Sequence, residues 1–133
     1  MEIDWAWNYR VIFMKKVLVD TCGWVAVVEA GINIDKSLIN ICGYNQLAIT
    51  ARVIEELESL KQKGLLLKIL LSKAELINIP NDSKKHTDDQ LFELAKKNQW
   101  PILTVDTELK KRLSDEGLEW IEVSGRSHLR LIR

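Results

Sequence analysis

Short aliphatic runs at residues 17–19, 46–49, 102–105 and 120–123 alternate with longer segments whose apolar residues recur at helical spacing. Strands separated by helices cannot pair through tight hairpins, so such a chain is driven toward a parallel sheet with helices packed on both faces. Its 133 residues suit one domain, and 47% hydrophobic residues supply an ordinary core. The expected architecture is α/β, a three-layer α/β/α sandwich around a central, mostly parallel sheet.

Punctuating residues divide the pattern further. A helical segment over 23–30 ends at Gly31, and a second over 34–42 stops at Gly43. Thr50 is placed to cap a helix over 51–63 that closes at Gly64, and 65–77 reads as another helix. A polar loop at 80–85 precedes Thr87, with Gln90 three residues on, the pattern of a capping box for a helix reaching about Asn98. After the strand 102–105, a helix over 107–116 closes at Gly117 and leads to the strand 120–123. Residues 14–133 form the expected domain, and 1–13 an N-terminal extension. Met14-Lys15-Lys16 would make a natural initiator, while Trp5, Trp7, Tyr9 and Phe13 favour packing of the extension on the domain or on a neighbour. A homodimer is the expected assembly.

Charge and cysteine content narrow the chemistry. Lys plus Arg equals Asp plus Glu at 19 each, so overall charge gives no support for a nucleic-acid partner and only a local patch would serve one. Cys22 and Cys42 form no CxxC pair and have no histidine at ligand spacing, so neither a zinc site nor a disulfide scaffold is indicated. Two reduced thiols in a cytoplasm are expected. The apolar run 11–14 is far shorter than a signal-peptide core or a membrane span.

The chemistry-bearing residues are acids. Asp20 ends the run Val17-Leu18-Val19 and Asp106 ends Ile102-Leu103-Thr104-Val105, the position where open α/β sheets put their ligand site. Helical geometry adds two more. Relative to the stripe Val53, Ile54, Leu57 and Leu60, Glu55 lies roughly 170° away, Glu58 roughly 110° and Glu56 roughly 90°, so Glu55 is rejected and Glu56 mildly preferred. Relative to Leu91, Phe92, Leu94 and Ala95, Asp88 lies roughly 40° from the stripe centre and Asp89 roughly 140°, so Asp88 faces inward. Each acid alone also has an ordinary role: Asp88 satisfies a helix dipole, Asp20 and Asp106 suit caps or turns, and Glu56 suits a solvated flank. Gathered at one edge, the four would repel one another unless a divalent cation or a shared proton relieved the charge.

Val17-Leu18-Val19-Asp20-Thr21, the helix with Val53-Ile54-Glu55-Glu56-Leu57, Thr87-Asp88-Asp89-Gln90-Leu91 through Ala95, and Leu103-Thr104-Val105-Asp106 together resemble the PIN-domain ribonucleases, over about residues 15–132 and in the right order. The final segment, 123–133, is similar to that of archaeal members related to ribosomal RNA processing nucleases. The resemblance implies a PIN-like sandwich in which Asp20, Glu56, Asp88 and Asp106 are catalytic and ligate Mg²⁺ or Mn²⁺. Thr21 and Thr104 match polar positions beside the metals, and Cys22 stands where many members have Asn or Ser.

Hard oxygen ligands suit those ions, and a metal-bound water is acidic enough to attack a phosphodiester. RNA would reach an acidic cleft through cations at its rim, for which Arg52, Lys84, Lys85, Lys110, Lys111 and Arg112 are available. No acid follows Glu122, so Arg126, Arg130 and Arg133 make the tail locally positive. Trp100 and Trp120 adjoin strands and read as core or near-core residues before base-stacking ones. Ribosomal RNA processing beside a ribosome-assembly protein, a VapC-type toxin held by an antitoxin, and a catalytically silent PIN-like binding module all stay open. A haloacid-dehalogenase-type phosphatase lacks its second Asp two residues after Asp20, and a receiver-like phosphoacceptor lacks its acidic pair and late lysine.

Overall fold

The computed structural model describes residues 15–60, 63–79, 86–125 and 127–133. Its strands are β1 (Val17–Val19), β2 (Leu47–Ile49), β3 (Ala74–Leu76), β4 (Ile102–Leu103), β5 (Trp120–Ser124) and β6 (His128–Ile132). The helices are α1 (Thr21–Glu29), α2 (Ile34–Cys42), α3 (Ala51–Glu58), α4 (Lys63–Lys73), α5 (Thr87–Asn98) and α6 (Thr107–Asp115). The sheet order is β3-β2-β1-β4-β5-β6, parallel throughout except for β6, which runs antiparallel to β5. From β1 the chain winds outward through β2 to β3, then crosses back to lay β4 on the other side of β1. The reversal leaves a crevice at the carboxyl ends of β1 and β4.

Alternation along the strands builds a core on each face. Val17, Val19, Leu47, Ile49, Leu103 and Ile121 pack with Trp24, Val27, Leu38, Val53, Leu57 and Leu70. Leu18, Ala48 and Ile102 point the other way, onto Leu91, Ala95, Leu109 and Leu113 of α5 and α6. The three layers agree with the sequence expectation. Trp24, 1% exposed, donates its indole N–H to the carbonyl of Leu66 at 3.0 Å and so ties α1 to α4.

Several boundaries differ from the sequence reading. The helix predicted over 51–63 ends at Glu58, because Ser59 turns its hydroxyl back onto the Glu56 carbonyl at 2.7 Å and Leu60 closes a tight turn on Leu57. Gly64 is therefore not a stop; it lies in α4. Nor does a single helix fill 65–77: α4 ends at Lys73, and 74–76 form β3, in register with Leu47, Ala48 and Ile49 of β2. No glycine or proline marks that switch, which depends on pairing with a strand distant in sequence. The stretch after Val123, read as a tail, contains β6, whose Leu129 is 7% exposed. The capping box at Thr87 is not formed either, since His86 is the cap residue, without a side-chain cap bond, and the Thr87 hydroxyl is engaged elsewhere. The extension 1–13 and the loop 80–85 lie outside the described residues.

Candidate active site

Asp20 leaves β1 as the cap of α1, its Oδ1 accepting from the Thr21 amide at 2.9 Å. Oδ2 accepts from the Thr104 hydroxyl at 2.7 Å and from the Cys22 thiol at 3.2 Å. Thr104, wholly buried just past β4, also accepts from the Asp106 amide at 3.1 Å, so one hydroxyl joins the two strand ends. Asp106 caps α6 through Oδ1, which accepts from the amides of Glu108 and Leu109. Ordinary capping and convergence on one crevice are here properties of the same two aspartates.

Gly23 lets α1 approach β4. A Cβ on Gly23 would stand 2.3 Å from the Leu103 carbonyl oxygen and 2.6 Å from its carbon, so only glycine keeps the helix this close to the strand that delivers Thr104.

Glu56, on the flank of α3, is gripped by two hydroxyls: Thr21 donates to Oε1 at 2.6 Å and Thr87 to Oε2 at 3.1 Å. Thr87 was missed as a site residue, and its only sequence signal is its place immediately before Asp88. Asp88 makes no hydrogen bond or ion pair within the described residues. Burial raises its pKa above the ordinary carboxylate value, the charges of Asp20, Asp106 and Glu56 raise it further, and Arg112 opposes them. Burial likewise raises Asp20, against the hydrogen bonds from Thr104, Cys22 and Thr21, with Glu56 adding repulsion. Burial also raises the Cys22 thiol, which favours its protonated, donating form.

The four acids named from the sequence thus come together, lining one cleft of about 630 Å³ with Thr21, Cys22, Val25, Ala26, Glu29 and Leu60 among its walls. Within the described residues no three His, Cys, Asp or Glu side chains stand as a ready-made clasp for an ion. The donors nevertheless fit a hard divalent cation in kind: carboxylate and hydroxyl oxygens, with mutual repulsion for a cation to relieve.

The basic rim is less free than the sequence suggested. Lys110 at 3.2 Å and Arg130 at 3.1 Å both pair with Glu122. Burial works against ionisation of Glu122, but the Trp120 and Lys110 hydrogen bonds and the two cations outweigh it and hold the carboxyl below its ordinary value. Arg112 pairs with Asp89 at 2.9 Å and lies over the Phe92 ring, 4.5 Å from its centroid. Arg133 pairs with Glu119 and follows Ile132, which is opposite the first residue of β5, so it sits at the sheet end away from the carboxylates. Trp100 and Trp120 adjoin the amino ends of β4 and β5, packed against the core beneath α5 and α6. Arg52, half-buried on α3, and the exposed Lys111 are the other described rim candidates, whereas Lys84, Lys85 and Arg126 lie outside the described residues.

The profile of the PIN-like domain family matches residues 17–126, a span that holds all four acids. The chain belongs to the PIN-like domain family. In this PIN-like domain β1 opens the matched span and β6 follows it. Among solved structures, one of the PIN domain endonuclease Utp24 is 20% identical and superposes with a TM-score of 0.72, covering 89% of this chain and 91% of that one. At that identity the likeness is one of fold. No curated protein matches the sequence. Among the described residues no helix is long and apolar enough to cross a membrane.

Proposed function

We propose that this PIN-like domain is a divalent-metal-dependent endoribonuclease that hydrolyses RNA phosphodiester bonds, acting in ribosomal RNA processing. The observation that carries the reading is the convergence of Asp20, Glu56, Asp88 and Asp106, from four separate elements, on one cleft at the carboxyl edge of the sheet. Isolated caps and solvated flanks would not meet there, and their mutual repulsion opposes folding, so the cluster calls for a functional reason. The family and the endonuclease fold support it. The ribosomal RNA branch rests on the resemblance of the C-terminal segment.

Asp20, Glu56, Asp88 and Asp106 would hold Mg²⁺ or Mn²⁺. When bound, such an ion supplies an acidic water and shields the phosphate from the carboxylates. Thr21 and Thr104 orient Glu56 and Asp20 by donating to them, and Val25, Ala26 and Leu60 are apolar parts of the cleft lining. Arg52, Lys110 and Arg130, with Lys84, Lys85 and Arg126, are proposed to guide the RNA backbone; Lys110 and Arg130 would do so while sharing Glu122. A ribosome-assembly protein as partner and a homodimer complete the proposal, the latter read out by light scattering.

The test is cleavage of a labelled structured RNA with Mn²⁺, Mg²⁺ or EDTA, beside Asp20→Asn, which keeps a capping oxygen. Metal-dependent cutting that disappears in Asp20→Asn is the expected result. No cutting, together with no divalent-ion binding by calorimetry, would replace the nuclease with a silent binding module.

A further inference from the structure

Unlike Asp20 and Asp106, Glu56 has no hydrogen bond from its own helix's amides to its carboxylate among the described residues. It sits on the exposed flank of a two-turn helix, with three side-chain torsions to fix, whereas Asp20 and Asp106 are locked as caps by amides of their own helices. What fixes Glu56 comes from elsewhere: Thr21 Oγ1 on one carboxylate oxygen and Thr87 Oγ1 on the other. Thr87 is the first residue of α5, and Asp88 is the second. The turn of backbone that presents Asp88 to the cleft therefore also grips Glu56.

We propose that Thr87 is a positioning residue of the carboxylate cleft, holding Glu56 on α3 in register with Asp88 on α5 so that both reach one ion. The inference rests on the metal-site reading above and adds a residue to it. A carboxylate only accepts hydrogen bonds, so the Thr87 hydroxyl must donate; serine can replace it, and alanine or valine cannot. The hydroxyl is not needed for the helix itself, since His86 is the cap residue and Thr87 makes no cap bond. Loss of the hydroxyl should accordingly free Glu56 without unfolding α5.

The experiment titrates Mn²⁺ alone by calorimetry into the full chain and its Thr87→Val, Thr87→Ala and Thr87→Ser variants, with a melting curve of each in EDTA. The expected result is about tenfold weaker Mn²⁺ binding in Thr87→Val and Thr87→Ala, affinity within about twofold of the parent in Thr87→Ser, and unchanged melting. Parental affinity in Thr87→Val or Thr87→Ala overturns the positioning role while leaving the metal site standing. Equal losses in all three variants overturn it too, because the hydroxyl would then not be the agent. Absence of Mn²⁺ binding in the parent removes the metal-site reading, and this inference with it.

Discussion

At the scale of single residues, the cleft is held by three hydroxyls: those of Thr21 and Thr104, which the family resemblance placed beside the acids, and that of Thr87, which it did not. Thr104 is the most constrained, buried between one acceptor, Asp20 Oδ2, and one donor, the Asp106 amide. Thr104→Val keeps the shape and removes both bonds, leaving a half-buried amide without its acceptor. Urea unfolding should show a loss of about 1–3 kcal/mol, and Thr104→Ser should recover most of it; an unchanged midpoint in Thr104→Val would mean that these bonds do not contribute to stability. The four acids were legible because strand ends and helix faces are local properties. Thr87 was not, since its partner lies 31 positions away.

At the scale of elements, two contacts decide how the helices and strands meet the site. Gly23→Ala drives a methyl into the Leu103 carbonyl, where backbone on both sides gives no easy escape. It should cost about 1–3 kcal/mol and, by pushing α1 from β4, lower divalent-ion affinity as well. Chemical denaturation and calorimetry on one sample separate the two effects. The hairpin of β5 and β6 is a structural element, so Leu129→Ala should lower stability by about 2–4 kcal/mol in equilibrium unfolding, where a tail free of the core would tolerate the change. The two edge strands differ in what announced them. β3 spans three residues with no turn residue before it and exists because β2 supplies hydrogen bonds, whereas β6 follows the turn at Gly125 and alternates His128 and Arg130 with Leu129 and Leu131, a local signal that the reading of this stretch as a tail passed over.

At the scale of the whole molecule, acids with opposite shifts make stability depend on pH in opposite directions. Asp20 and Asp88 titrate above their unfolded values, so the native state binds the extra protons, and their effect is to lower stability as pH rises from about 4 through their raised pKa values. Glu122 titrates below its unfolded value; its contribution is present above that value and is lost as pH falls through the folded one. In EDTA the urea midpoint should therefore decline as pH rises from about 4 through the raised pKa values of Asp20 and Asp88. Asp88→Asn should flatten the decline, and Mn²⁺ should reverse it. A midpoint in EDTA that climbs steadily across the window would show that the cluster carries no unrelieved repulsion. The sequence by itself determined the α/β class with helices on both faces of the sheet, and spacing within a strand or a helical turn singled out Asp20, Asp88 and Asp106 while only mildly preferring Glu56, which the family resemblance added. Only the tertiary structure decided the edge strand β3, the pairing of Lys110 and Arg130 with Glu122, and the two-sided grip on Glu56. Those depend on which distant segments the sheet order brings side by side, and local spacing carries no record of that order.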